Sequence, residues 1–123
     1  MKQDWSDDRV SRLATAWLAE IASSAGDDIG QQVVMMNFTA SADTQWAFIG
    51  ACVADAHTDE QLGAIAAGPL EHLMGKFGTD YIDRVEACAD ADLRFRTAVG
   101  HMWQYRIADD VWSRLQTLGA GVQ

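Results

Sequence analysis

Apolar residues along the first part of the chain recur at helical spacing. Val10, Leu13, Ala14, Trp17, Leu18 and Ile21 follow the i, i+3, i+4, i+7 series of an amphipathic helix. Asp4 or Ser6 can cap it, Asp7 and Asp8 suit the positive end of its dipole, and Gly26 offers a stop. Residues 29–38 are apolar on every side through Val33, Val34, Met35, Met36 and Phe38, a pattern that a buried helix and a buried strand share. The helical periodicity around them favours helix. Ser41, Asp43 or Thr44 can open the next helix, with Trp46, Ile49, Val53 and Ala56 on its inner face and an end near His57. Thr58 and Gln61 have capping-box spacing. The apolar series Leu62, Ile65, Ala66, Pro69, Leu70 and Leu73 then runs through the only proline. A proline inside a helix removes a donor and collides with the preceding turn, so a kink is expected near Gly68 and Pro69. The bare Gly68 should let a neighbouring helix approach.

Gly75 and Gly78 interrupt the pattern, and Thr79 or Asp80 restarts it with Tyr81, Ile82, Val85, Cys88 and Ala89 on one side. Asp90 or Asp92 can open a further helix burying Phe95, Ala98, Val99, Met102 and Trp103. A last one, over 108–118, carries Val111, Trp112, Leu115 and Leu118 before Gly119 and Gly121. No convincing alternating strand and no Pro-rich linker is present. The expectation is an all-α fold, residues 1–123 as a single domain of six to seven short helices, with HEAT-like stacking of helical pairs as one possible arrangement.

Composition narrows the function classes. The chain has 123 residues, 49% of them hydrophobic and 22% charged, which excludes intrinsic disorder and fits one globular unit. The formal charge of −9 opposes direct nucleic-acid binding and docking on an anionic membrane. Acids stand where a secretory signal would need an apolar run, and no stretch approaches a membrane span, so a cytoplasmic location is expected. Five tryptophans supply large apolar volume, with Trp5 and Trp46 the least secure in the core. Cys52 and Cys88 lie far apart in apolar contexts and read as buried thiols.

Candidate chemistry is thin. His57, His72 and His101 are isolated and lack partners at metal-ligand spacing, so neither a metal nor another cofactor is expected. Glu71 and His72 are adjacent and point about 100° apart on a helix. On a straight wheel Glu71 lies about 180° from Leu62, turned away from the apolar stripe. Asp83, Arg84, Glu86, Arg94 and Arg96 form the one mixed-charge cluster, read first as an interhelical salt-bridge network with Glu71. Charge is unevenly spread: the 63 residues between Arg12 and Lys76 contain no Lys or Arg but eight acids. Residues 1–62 hold ten acids and three bases, against eight and six in 63–123.

The runs Ile65-Ala66-Ala67-Gly68-Pro69-Leu70-Glu71, Tyr81-Ile82-Asp83-Arg84-Val85-Glu86, Asp92-Leu93-Arg94-Phe95-Arg96 and Val111-Trp112 carry a resemblance. Over Leu62 to Trp112 the chain resembles a bacterial family of small helical proteins known only as a domain of unknown function. His72 stands where such motifs commonly have an acidic or apolar residue, and Leu93 where they commonly have proline. The resemblance implies an α-helical bacterial protein and no established activity.

The leading expectation is a non-enzymatic acidic protein-interaction module, most concretely an immunity- or antitoxin-like inhibitor of a basic bacterial protein. Asp27, Asp28, Asp43, Asp55, Asp59 and Glu60 would form its acidic face and steer association. The rival expectation is a small enzyme or anion-ligand sensor using Glu71, His72, Asp83, Arg84, Arg94 and Arg96 around the Pro69 kink. A homodimer with an apolar twofold interface is a third.

Overall fold

The computed structural model describes residues 2–24 and 26–121. Seven α-helices occur among them: α1 (Asp7–Ser23), α2 (Asp28–Thr39), α3 (Ala42–Asp55), α4 (Asp59–Ile65), α5 (Glu71–Ala91), α6 (Leu93–Gly100) and α7 (Asp109–Thr117). A π-helical turn, Ala66–Leu70, joins α4 to α5. The fold is all-α, and residues 29–38 are helical. Among the described residues, no helix is long and apolar enough to cross a membrane.

Local chemistry sets most of the boundaries. Ser6 caps α1 by accepting from the Arg9 N–H, Ser41 caps α3 through the Thr44 N–H, and Asp92 caps α6 through the Arg94 N–H. Thr58 and Gln61 close the full capping box of α4. The start of α2 is handled differently. Asp27 makes no side-chain cap, and the Glu20 carboxylate reaches over from α1 to accept from the N–H groups of Ile29 and Gly30, both at 2.8 Å.

The first three helices run up, down and up. Gln3 pairs with Ala40 in a parallel bridge and the Trp5 N–H donates to the Thr44 hydroxyl at 3.0 Å, which sets the start of α1 beside the start of α3. Gln61, buried at the head of α4, donates to the Leu18 carbonyl near the far end of α1 (3.1 Å). The α1–α2 and α3–α4 joints therefore share one end of the molecule. Phe48, Met36, Ile49, Ile65, Leu70, Leu73, Met74, Met102 and Leu115 are fully enclosed in one continuous core. Burying side chains of this size contributes roughly 1.5–3 kcal/mol each. Contacts of α1 with α4 and of α3 with α6 cross the nearest-neighbour pattern that a strict stack of helical pairs would keep.

The expected interruption at Gly75 and Gly78 is present as a kink: two helical segments of α5 meet at Phe77 (φ −129°, ψ 23°), between the two glycines, with no loop separating them. Gly78 also lets α7 in, a Cβ there lying 3.0 Å from Val111 Cγ1. Three local expectations need correction. Gly68, the expected point of close approach, has no atom within 4 Å of such a Cβ. Trp103 is not on a buried helix face, because α6 ends at Gly100 and leaves the indole 54% exposed. Cys52 is buried, whereas Cys88 is only half-buried. Trp5 and Trp46 are half-buried and pack against the rim of the core.

Candidate binding cleft

The charged residues singled out from sequence separate into several places. Asp43 accepts from the Tyr81 hydroxyl and pairs with Arg84 at 3.5 Å, and Arg84 in turn stacks on the Tyr81 ring at 4.6 Å. The Tyr81 hydrogen bond, then the Arg84 guanidinium, hold the Asp43 carboxyl below its usual range. Desolvation, followed by the Asp43 charge, pushes the phenol up to about 12. This contact fastens α3 to α5.

Asp83 and Glu86 both bind Arg114 of α7, the former at 2.6 Å, and not Arg94 or Arg96. Arg94 donates to the Ala56 carbonyl at 2.9 Å, tying α6 to the end of α3. Arg96 makes no ion pair among the described residues. The expected network linking Glu71 to Asp83, Arg84, Arg94 and Arg96 is therefore absent there. Orientation prevents it, because Glu71 is turned toward the loop after α6 and its Oε2 accepts from the Trp103 backbone N–H at 3.0 Å.

Five of the six acids assigned to an acidic face lie toward one end of the molecule. Asp27 and Asp28 lie at the α1–α2 joint, and Asp55, Asp59 and Glu60 at the α3–α4 joint, at the end of the molecule that these joints share. None is in an ion pair among the described residues. Asp43 stands at the start of α3, at the opposite end.

Glu71 and His72 border a cleft of about 470 Å³ whose other walls are Phe38 at the end of α2, Gly75 and Lys76 of α5, and Tyr105 and Arg106 of the α6–α7 loop. Volumes of this size are ordinary for ligand sites. The loop is well fixed. Met102 and Ile107 anchor it in the core, and Gln104 donates to the Ile107 carbonyl (3.0 Å) and to Asp109 (2.9 Å). Its backbone rests on Gly75, where a Cβ would lie 3.4 Å from the Arg106 carbonyl oxygen and 3.5 Å from that of Tyr105. Arg106 adopts a left-handed conformation (φ 62°).

The two sides of the cleft are aromatic and cationic. His72 meets the Phe38 ring edge-on at a centroid distance of 5.0 Å, and Lys76 Nζ lies 5.4 Å from the same ring. The Arg106 guanidinium lies 5.3 Å from the Tyr105 centroid. Desolvation raises the Glu71 pKa, with the Trp103 N–H opposing it. Desolvation and then the Lys76 charge lower that of His72, and a contact with the Asn37 backbone partly offsets this. His72 Nε2 is closed off from solvent and has no partner among the described residues. A second hollow, lined by Lys2, Gln3, Phe38 and Thr39, meets the first at Phe38. Lys2 there donates to the Phe38 carbonyl, capping the end of α2.

Among the described residues, no serine, threonine or cysteine lines the 470 Å³ cleft. Nor do three or more His, Cys, Asp or Glu gather as a possible metal set anywhere among the described residues. The arrangement suits recognition: aromatic walls, positive charge beside them, and one half-buried carboxylate already engaged with the backbone. Sequence reasoning found Glu71 and His72 and missed Phe38, Gly75, Lys76, Tyr105 and Arg106. The signal for the last two was the run Trp103-Gln104-Tyr105-Arg106, where polar and aromatic residues alternate just after a helical pattern ends.

Fold and cleft together define a small all-α protein with a surface cleft. Residues 23–122 match the family of unknown function DUF6869, and the chain belongs to that family. The match reaches well upstream of the motif-bearing region that begins at Leu62. No curated protein and no solved structure matches the chain.

Proposed function

We propose that this protein is a non-enzymatic recognition module that docks another protein on the face around the Phe38–Tyr105 cleft. One observation carries this reading. Of the six large hydrophobic residues exposed among the described residues, Val34, Met35 and Phe38 lie on α2 and Trp103 and Tyr105 on the α6–α7 loop, the two elements whose Phe38 and Tyr105 line the cleft. Concentrated apolar exposure of this kind marks interaction surfaces, and aromatic, Met and Arg residues are enriched in them. Leu93, the sixth, stands apart at the head of α6. A photoreactive phenylalanine analogue at Met35 or Tyr105 should give a discrete cross-linked adduct in cells, and the same label at Leu93 should not. Equal labelling at all three positions would overturn the reading.

The placement of Asp27, Asp28, Asp55, Asp59 and Glu60 toward the opposite end supports a second reading, in which that end steers a basic partner as an immunity- or antitoxin-like inhibitor does. With the cross-linked partner in hand, reversing Asp55, Asp59 and Glu60 together to Lys should slow association at low salt. An unchanged rate would remove the acidic end from the interaction.

A further inference from the structure

Resting on the docking reading above, we infer that the occupant of the cleft is an acidic segment of the partner chain that also carries an aromatic or leucine side chain. The argument begins with where the positive charge lies. The chain is strongly acidic, and the long base-free stretch supplies Phe38 and the rest of α2 but no cation. Even so, Lys2, Lys76 and Arg106, from three distant parts of the sequence, line the two hollows that meet at Phe38. None of the three forms an ion pair among the described residues.

Lys76 and Arg106 are held against the Phe38 and Tyr105 rings. An incoming carboxylate therefore meets cations whose positions are already restricted, and the Phe38 and Tyr105 side chains, both more than half exposed, can still meet an apolar side chain. The one acid in the cleft, Glu71, is held by the Trp103 N–H and faces the loop. The acidic joints lie at the other end of α2, about 18 Å away for a helix of its twelve residues. That is about twice the screening length at physiological salt, so the local cations dominate at the cleft. An extended segment suits two hollows in a row better than a compact solute, which would fill only one. A planar anionic membrane would meet the net negative charge of the whole surface.

A random twelve-residue display library panned on the full-length protein tests this. Clones whose capture is lost in Phe38→Ala/Tyr105→Ala define occupants of the cleft. Both positions are more than half exposed, and an unchanged circular dichroism spectrum and melting point establish that the variant is folded. These clones are expected to be rich in Asp and Glu beside Phe, Tyr, Trp or Leu. Their affinity should fall about tenfold or more in Lys76→Glu/Arg106→Glu, with little change in Arg96→Glu.

Cleft-dependent clones that are basic or uncharged would overturn the acidic occupant while leaving the docking reading intact. An absence of cleft-dependent clones, together with equal cross-linking at Met35, Tyr105 and Leu93, would overturn both. Self-association abolished by Lys76→Glu/Arg106→Glu would place a second copy in the cleft, and binding to phosphatidylserine vesicles lost in the same variant would place a membrane there. Either result overturns the inference.

Discussion

Replacing Glu71 by Gln and by Ala separates two effects that the structure combines in one side chain. The carboxylate is half-buried, which costs free energy when it is charged, and it accepts a 3.0 Å hydrogen bond from the Trp103 N–H that ties the α6–α7 loop to α5. Gln keeps an acceptor and loses the charge, whereas Ala loses both. Burial raises the folded-state pKa above the unfolded value, so between the two the folded chain binds more protons. The stabilising contribution of the protonated group is complete below the unfolded pKa and is lost as pH rises through the folded one. Glu71→Gln should therefore be at least as stable as the parent at pH 7.5, and its advantage should shrink as the pH is lowered toward 4.

A hydrogen bond to a charged acceptor is worth about 1.5–3 kcal/mol when buried. Solvent at the cleft reduces this to about 1 kcal/mol for Glu71→Ala. In a chain of this length that is a fall of about 3–6 °C in melting temperature. Urea unfolding at pH 4.5, 6 and 7.5 gives the stabilities, and hydrogen exchange at the Trp103 amide reports the loop directly, with faster exchange expected only in Glu71→Ala. A Glu71→Gln protein less stable than the parent at pH 7.5, or a difference that widens on acidification, would refute the burial argument.

Three further outcomes follow from the structure. Glu20→Ala should cost about 1–2 kcal/mol in urea unfolding, because it uncaps two N–H groups of α2, while Asp27→Ala should change little despite occupying the cap position. Gly50→Ala, with nothing within 4 Å of the new methyl, should stabilise α3 by about 0.5–1 kcal/mol; Gly78→Ala, which presses on Val111, should destabilise by about 1–3 kcal/mol and be partly rescued by Val111→Ala. His72 has a lowered folded-state pKa, so its contribution holds above the ordinary histidine value of about 6.5 and is lost as pH falls through the folded one. The parent should thus lose stability on that acid side, and His72→Phe, which also removes an unpartnered buried nitrogen, should show a flatter profile in the same titration.

The helices with their own caps were the most legible. Ser6, Ser41, Thr58 and Asp92 announce helix starts because a short side-chain oxygen and the N–H it satisfies are three residues apart or fewer. Glu20 was not legible as a cap, since the N–H groups it satisfies are nine and ten residues away and lie on another helix. Gly75 and Gly78 read as breakers because glycine is a poor helix former in isolation, and the kink at Phe77 falls between them; no local pattern announces that the α6–α7 loop and α7 pack onto these two glycines. Of the candidate site, the sequence disclosed Glu71 and His72 by their position beside the proline. Their true neighbours come from α2 and from the loop after α6, and no local spacing links residue 38 to residue 105. The arginines were misassigned for the same reason, as ion pairs form across helices whose relative rotation only packing decides.

That rotation depends on the π-helical turn between α4 and α5, where the Glu71 N–H donates to the Ala66 carbonyl, five residues back. The wide turn absorbs one residue without carrying the next helix round by the usual 100° or so. Glu71, outward on a straight wheel, is brought to the flank of the apolar stripe as a result. Pro69, with no N–H to give, sits inside that turn without forfeiting an α-helical bond. In the language of insertions and deletions, the turn and its proline form one unit. Deleting Ala67 together with Pro69→Ala would close the turn into α-helix and keep Leu62 and Leu73 on the same core, whereas either change alone would leave a proline in an α-helix or a surplus residue with no reason to bulge.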